Sequence, residues 1–207
     1  MPFLEHKDRM RIEEAVAAGE KRTAAEFVCV VTRASGNYLY LPTLAATAVM
    51  LSLSGIALLV PWPFRVTFTE FYLGQVLGFI GLYLLFRWRP LRHRLVPREI
   101  QRRRAGARAH QVFLDYGLAG TRNRTGVLFF VSAVEHYVEI ITDRGVRAVV
   151  EDESWAQILA EFGATVDEGR IADGFVTAIE ACTTILAERL PAHPGDVDEL
   201  PNRLVLL

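Results

Sequence analysis

The sequence predicts an α/β fold, a three-layer-type sandwich with a small mixed sheet flanked by helices, interrupted by a two-helix transmembrane hairpin. The chain has 207 residues, of which 51% are hydrophobic and 23% charged, and its mean hydropathy is +0.22. The fraction of charged residues is typical of a globular protein, yet the mean hydropathy is positive. The apolar residues are therefore concentrated in a few segments. Short runs rich in β-branched residues lie on both sides of those segments. With 15 Gly, 9 Pro and 2 Cys, the composition excludes collagen, a disordered chain and a disulfide scaffold.

Two apolar segments predict membrane-spanning helices, over residues 38–60 and 66–86. Residues 38–60 contain no Asp, Glu, Lys, Arg or His, and at about 1.5 Å per residue they reach roughly 34 Å, which is enough for a hydrocarbon core of roughly 30 Å. The second uncharged run covers residues 71–86 and is long enough to span the bilayer only when residues 66–70 are added to it. The first segment begins after a charged, helix-patterned stretch and is therefore no signal peptide. The alternative is a buried core hairpin of a soluble protein.

The charges beside the two segments predict their orientation. Residues 1–37 hold six Lys or Arg, the connection over 61–70 holds only Arg65, and residues 87–108 hold nine Arg against one acid. Under the positive-inside rule, both ends then lie in the cytoplasm and the short connection outside. We expect a two-span protein of the bacterial inner (cytoplasmic) membrane with both termini cytoplasmic.

Small residues at helical spacing in both segments predict close helix packing. Such residues let helix backbones approach, and Gly74 and Gly78 form a GxxxG pair. A tight antiparallel hairpin is the favoured interpretation, and a homodimer through the Gly74/Gly78 face is the alternative. The predicted helix-packing residues are Ala48, Ser52, Gly55, Gly74, Gly78 and Gly81.

The polar segments carry helix and strand patterns. The continuous apolar run over 127–132 predicts a central strand covered on both faces, and 137–142 follows after a short turn, as in an antiparallel hairpin. Pro97 opens a helix that Gly117 ends, while Asp152 or Ser154 caps a later one. We predict helices over residues 8–21, 98–116, 155–162 and 166–189, and strands over 26–32, 127–132 and 137–142.

A strand before the two apolar segments has no sheet of its own to join, so it is expected to join the strands that follow them. The membrane hairpin is then an insertion into one cytoplasmic α/β domain. The predicted organisation is a first helix and strand (1–37), the transmembrane hairpin (38–86), a basic juxtamembrane segment with the start of a helix (87–108), the rest of the domain (109–203) and a tail (204–207).

Arginine dominates the segment that follows the second apolar run. Its simplest role is the positive-inside anchor, and a specific site for anionic lipid is the alternative. Nucleic acid binding is not expected, because the arginines adjoin a span and have no interleaved aromatic residues. The predicted membrane-surface residues are Arg87, Arg89, Arg92, Arg94 and Arg98.

Short motifs lie outside the apolar segments, at residues 11–14, 20–26, 109–113, 117–118, 121, 123–128, 143–146, 155 and 198–201. Together they resemble the TPM domain family, known from thylakoid-lumen and photosystem-repair proteins, a nematode receptor modulator and many bacterial proteins. Their order and spacing carry the resemblance more than any single motif. It implies an α/β sandwich. The membrane hairpin after the first strand departs from the family, many of whose members carry a signal peptide and a C-terminal span.

The resemblance implies phosphatase activity or calcium binding, because relatives have been described as phosphatases and as calcium binders. Cys182 lies one residue too far from Arg189 for a cysteine phosphatase loop, and Asp196 with Asp198 lacks the apolar strand that an aspartyl-phosphate enzyme places before its motif. The sequence contains no GxSxG, P-loop, GxGxxG or HExxH motif, and its five histidines lack metal-ligand spacing. The catalytic residues are therefore unknown, and Cys29 and Cys182 are expected in the core.

The predicted site is a loop cluster in which Asp143 joins the Thr121–Thr125 loop near a sheet edge, where α/β domains place ligands. Asp143, Glu151 and Asp152 are the candidate ligands of a divalent cation such as calcium. The alternative is that these acids cap a turn and a helix and that the protein has no cofactor.

Two functions remain open. The first is a membrane-anchored, non-catalytic adaptor or assembly and quality-control factor, which would bind the bilayer and another membrane protein. The second is a weak metal-assisted phosphatase, which follows from the family resemblance alone.

Overall fold

The computed structural model describes residues 4–36, 40–59, 67–87, 96–193 and 199–207. These residues divide into two compact units. The sheet unit comprises residues up to 35 together with 102–207, and the helix-pair unit comprises 36–101.

The predicted helices and strands occur in the predicted order, together with a 3₁₀ turn, a short helix and a C-terminal strand that were not predicted. They are α1 (His6–Glu20), β1 (Glu26–Thr32), α2 (Tyr40–Leu59), α3 (Phe68–Arg87), α4 (Arg98–Asp115), a 3₁₀ turn (Leu118–Gly120), β2 (Gly126–Ser132), β3 (Tyr137–Thr142), α5 (Arg144–Arg147), α6 (Asp152–Asp167), α7 (Ile171–Arg189) and β4 (Val205–Leu206).

In the described part of the chain, the sheet has four strands in the order β3-β2-β1-β4. β1 and β2 run parallel in a register that extends from Glu26 beside Gly126 to Thr32 beside Ser132. β2 and β3 form the predicted antiparallel hairpin. Parallel strands need a crossover connection, and the segment between β1 and β2 contains α2, α3 and α4. Residues on both sides of the apolar helices therefore build one mixed sheet.

Two hydrophobic cores lie on opposite faces of the sheet, because successive side chains of a strand point to opposite sides. Phe27 and Phe129 contribute to the core that also contains apolar side chains of α1, α6 and α7. Val28 and Phe130 contribute to the other core, together with the buried side chains of α4. A small mixed sheet flanked by helices is confirmed, and burial on both faces explains the continuous apolar runs of β1 and β2.

The boundary between α6 and α7 differs from the prediction. The sequence predicted one helix starting at Val166, whereas α6 continues to Asp167 and α7 begins at Ile171. Gly169 has φ +82°, and its N–H donates to the carbonyl of Val166 at 2.9 Å. A left-handed glycine ends a helix at little steric cost, so the apolar periodicity of this region spans two helices.

The prediction of a tail over residues 204–207 is wrong. Val205 and Leu206 form β4, which pairs in parallel with Val30 and Val31 of β1. The N–H of Leu207 donates to the carbonyl of Val31 at 3.0 Å. This short strand lies along the outer side of β1, where unpaired backbone groups would otherwise remain.

The helix-pair unit contains α2 and α3 in contact with each other. Among the described residues, α3 is the one helix whose length and apolar composition suffice to cross a membrane, and none of its residues is buried. The described apolar part of α2, Pro42–Ala57, is shorter. A second span therefore remains a prediction.

Candidate functional site

The two ends of the parallel strands carry different polar clusters. The predicted loop cluster forms, because the N–H of Asp143 donates to the carbonyl of Gly126 and the N–H of Gly145 to that of Arg124, both at 2.9 Å. It lies at the amino ends of β1 and β2. The carboxyl ends, where α/β sheets place ligands, lie at Thr32 and Ser132 instead. The placement of the predicted site at the ligand-binding edge is therefore wrong.

Asp143 is a buried helix cap. Its side chain is 8% exposed, and its Oδ1 accepts a hydrogen bond of 2.7 Å from the N–H of Arg144, the first residue of α5. Its Oδ2 is buried without a hydrogen bond, 3.9 Å from an Nη of Arg124. One oxygen thus caps a helix while the other faces a guanidinium group.

The three predicted metal ligands do not form a cluster. Glu151 and Asp152 are exposed at the start of α6, where acids interact favourably with the helix dipole. Among the residues that the structure describes, no three His, Cys, Asp or Glu side chains lie close enough to share a metal ion. Calcium takes six to eight oxygen ligands, and Asp143 beside Arg124 does not fit that set.

Replacing Asp143 by Ala should lower the free energy of unfolding by about 1 kcal/mol, because the α5 N–H loses its acceptor. The Asp143→Asn variant is the matched control, since an amide oxygen caps almost as well, and it should remain close to the wild type in thermal unfolding. An equal loss in both variants would show that the charge matters rather than the cap. A calcium-dependent rise in the melting temperature that Asp143→Asn abolishes would contradict the capping role.

A second polar cluster, which the sequence did not reveal, lies at the carboxyl ends of β1 and β2. Glu135 is 7% exposed, and Ser132 is fully buried. The Ser35 hydroxyl donates to Ser132 Oγ at 2.7 Å, and Ser132 donates to Glu135 Oε2 at 2.5 Å. The N–H of Ser35 donates to Glu135 Oε1 at 3.0 Å. Glu135 therefore holds the segment through which the chain leaves the sheet, and no sequence motif indicates this contact.

A third cluster, also missed, lies between β3 and α4. Tyr137 and Glu139 stand two residues apart on β3, and His110 Nδ1 of α4 lies 3.9 Å from Glu139 Oε1. Burial and the neighbouring Glu139 raise the pKa of Tyr137 to about 12. Burial also raises the pKa of Glu139, against the opposing effects of Tyr137 and His110. Gly106 makes room for this contact, since a Cβ there would lie 3.1 Å from the Tyr137 hydroxyl.

The Glu139→Gln variant should change how stability depends on pH. A carboxyl group whose pKa is higher in the folded than in the unfolded state stabilises the fold below its unfolded pKa, and this contribution is lost as pH rises through the folded pKa. The wild type should therefore gain stability relative to Glu139→Gln as the pH falls from 7 towards 4. Urea unfolding at several pH values measures the difference. A constant difference between the two proteins would contradict the raised pKa.

Both cysteines are buried, unpaired residues of the core, as predicted. Burial raises the pKa of Cys29 and of Cys182 above the ordinary range. The reactive form of a cysteine is the thiolate, so neither thiol is suited to nucleophilic chemistry.

The predicted helix-packing residues do not all lie at the contact between α2 and α3. A Cβ added at Gly78 would lie 3.1 Å from the Met50 side chain, whereas one at Gly55, Gly74 or Gly81 would meet no atom of the described residues within 4 Å. The contact between α2 and α3 thus involves Gly78 but not the other three glycines. Ala48 and Ser52 are exposed, with the Ser52 hydroxyl bonded to the carbonyl of Ala48.

Two of the five predicted membrane-surface arginines, Arg87 and Arg98, are described, and both are exposed. Arg89, Arg92 and Arg94 lie outside the described residues, as do Asp196 and Asp198.

Comparisons with known proteins agree with this fold. Residues 95–185 match the sequence profile of the TPM domain. The solved structure of the BA42 protein from the psychrophilic bacterium Bizionia argentinensis is similar, with a TM-score of 0.61, 18% sequence identity and coverage of 99% of this chain and 96% of that one. A search of curated proteins finds no significant match. The chain thus resembles TPM domains in sequence over residues 95–185 and shares the α/β fold of the BA42 protein.

Proposed function

We propose that this chain is a membrane-anchored TPM-like domain that acts as a non-catalytic adaptor or assembly factor for a membrane protein complex. It spans the bacterial inner membrane twice through α2 and α3, and both termini lie in the cytoplasm. The observation that carries this proposal is a pair of apolar helices with many exposed large side chains, which lie in the chain between two neighbouring strands of one sheet.

The exposed apolar side chains of α2 and α3 support the proposal that both helices contact lipid. α3 has 20 residues, which correspond to about 30 Å, the thickness of a hydrocarbon core. α2 also has 20 residues, of which the described apolar part is Pro42–Ala57. In water, large apolar surfaces of this kind are rare on monomers. Among the large hydrophobic residues exposed on these helices are Leu44, Leu51, Leu53, Ile56, Leu59, Phe68, Tyr72, Leu73, Leu77, Ile80, Leu84 and Leu85.

The shared sheet requires an even number of crossings. β1 precedes the helix pair, β2 follows it, and the two strands are hydrogen-bonded neighbours. A bilayer cannot divide a sheet, so the chain has to return to the side that it left. If α3 crosses the membrane, α2 crosses it too, and the arginines around Arg87 and Arg98 then adjoin the cytoplasmic headgroups.

A binding role is supported by how the buried polar groups of the sheet unit are used. Glu135 holds Ser35 and Ser132, Asp143 caps α5, and burial keeps the thiol of Cys29 protonated. Glu135 and Asp143 thus serve the structure of the fold and the Cys29 thiol is unreactive, which leaves the surface of a domain tethered to the membrane as the part available to a partner.

Crosslinking in native membranes tests this function. The full chain should remain in the membrane after an alkaline wash and should co-purify with a membrane protein. A matched variant that lacks residues 38–86 should lose both properties. Recovery of the wild-type chain without any crosslinked membrane protein would contradict the adaptor role. Hydrolysis of a generic phosphomonoester by the purified chain, lost in Asp143→Asn, would favour the phosphatase instead.

A further inference from the structure

Two exposed arginines, Arg33 and Arg102, lie at the carboxyl edge of the sheet, which is the edge where β1 and β2 have their carboxyl ends. Arg33 directly follows β1. Its carbonyl accepts a hydrogen bond of 3.1 Å from the N–H of Val134, a residue of the turn between β2 and β3. Arg33 is thereby fixed beside that turn.

The helix α4 brings Arg102 to the same edge. A Cβ at Gly106 would lie 3.1 Å from the hydroxyl of Tyr137, the first residue of β3, and His110, one turn further along α4, lies beside Glu139. α4 therefore follows β3 in the same direction, and Arg102, one turn before Gly106 on the same side of the helix, lies at the start of β3. Burial and Glu139 raise the pKa of Tyr137, and the positive charge of Arg102 opposes them.

The acidic side chains beside these arginines are engaged by other groups. Glu135 is buried and accepts hydrogen bonds from two serines. Asp167 Oδ1 lies 3.3 Å from His136 Nδ1, and Glu139 Oε1 lies 3.9 Å from His110 Nδ1. Among the described residues, neither of the two arginines forms an ion pair. Two positive charges at the carboxyl edge are thus available to an anion.

In the two-span arrangement, the membrane surface lies close to the carboxyl edge. The Ser35 hydroxyl is bonded to Ser132, the last residue of β2, and α2 begins at Tyr40. Residues 36–39 alone connect Ser35 to α2, and at no more than about 3.6 Å per residue they bridge at most roughly 18 Å. The carboxyl edge therefore faces the headgroup layer when α2 crosses the membrane.

Anionic phospholipid is the partner whose chemistry fits this edge. A guanidinium group can donate two parallel hydrogen bonds to the oxygens of a phosphate, and the cytoplasmic leaflet carries a negative surface potential that attracts basic side chains. We propose that Arg33 and Arg102 bind the phosphate groups of anionic phospholipids and so hold the carboxyl edge against the membrane surface. This proposal rests on the two-span arrangement proposed above, to which it adds a lipid contact made by the sheet unit.

Fluorescence quenching in reconstituted vesicles tests this contact with the full chain. Ala34 is exposed beside Arg33, so a fluorophore on Ala34→Cys is quenched when headgroup spin-labelled phosphatidylcholine approaches. Quenching should be stronger in vesicles that also contain phosphatidylglycerol than in phosphatidylcholine alone, and high salt should remove this difference. Arg33→Gln combined with Arg102→Gln should lose the difference. Arg122→Gln combined with Arg147→Gln is the matched control, with the same change of charge at exposed positions near the opposite edge, and should keep it.

Equal quenching of the wild type with and without phosphatidylglycerol would overturn the lipid contact, and so would an equal loss in the two double variants. An alkaline wash of the same vesicles separates this failure from that of the proposed function. A chain that stays in the membrane without quenching that depends on phosphatidylglycerol contradicts only the contact of the two arginines. A chain released by the wash contradicts the membrane anchor itself.

Discussion

Replacing Gly145 by Ala should lower the free energy of unfolding of the sheet unit by about 3 kcal/mol. A Cβ at this position would lie 2.5 Å from the carbonyl oxygen of Asn123 and 2.7 Å from that of Arg124. Both contacts are with backbone atoms, which cannot rotate away as a side chain can. The loop would have to move, and with it the corner where Asp143 caps α5. Thermal unfolding of the full chain in detergent should show a melting temperature lower by roughly 10 °C.

Gly120→Ala is the matched control for this substitution. Gly120 lies in the 3₁₀ turn just before the same loop, and a Cβ there would meet no described atom within 4 Å. Its backbone also lacks a positive φ, so the variant should unfold within about 0.5 kcal/mol of the wild type. Equal melting temperatures for Gly145→Ala and the wild type would mean that the loop does not pack against α5 as described.

Removing residues 38–86 and joining the flanks with a Gly/Ser linker should convert the chain into a soluble, folded domain. Over its described residues, 40–59 and 67–86, the removed segment contributes helix and no strand of the sheet. α4 remains as the crossover between β1 and β2, and both hydrophobic cores keep the buried residues of the sheet unit. Gel filtration should give a discrete species without detergent, and circular dichroism should show cooperative thermal unfolding.

The same deletion combined with Phe129→Ala is the control for folding. Phe129 is fully buried, with its ring centroid 5.8 Å from that of Phe27 and 6.4 Å from that of Phe162. Truncating such a residue costs about 3–5 kcal/mol, a large part of the 5–15 kcal/mol that stabilises a typical domain. The double variant should lose the cooperative transition. Aggregation of the single deletion variant would instead show that the apolar helices belong to the core of the fold.

The central strands could be predicted from the sequence because their burial leaves a strong pattern. β1 and β3 have the predicted bounds, and β2 begins one residue earlier than predicted. The strand β4 could not be found in this way. Val205 and Leu206 give no alternation to detect, and only their pairing with β1 makes them a strand. Gly169 did offer a signal, but the apolar periodicity on both sides of it outweighed a single stop residue.

The polar clusters were harder to predict because contacts between distant residues create them. Asp143 could be singled out as a turn residue. Its place at the amino ends of β1 and β2 depends on the direction of the strands in the sheet, which the order of residues does not reveal. Glu135 looks like an ordinary surface acid in a short turn, and it is buried because Ser35, 100 positions earlier, donates to it. The contact between Glu139 and His110 likewise requires the packing of α4 on β3.

Labelling single cysteines from outside the cell tests most directly whether the helix pair is a membrane insertion within one cytoplasmic domain. Thr67 lies just before α3 and Arg122 lies in a loop of the sheet unit, and both are exposed. The native Cys29 and Cys182 are buried and should remain unlabelled. With a membrane-impermeant maleimide on intact cells, Thr67→Cys should react at once and Arg122→Cys only after the cells are permeabilised. Labelling of Arg122→Cys in intact cells, or protection of Thr67→Cys there, would contradict the arrangement.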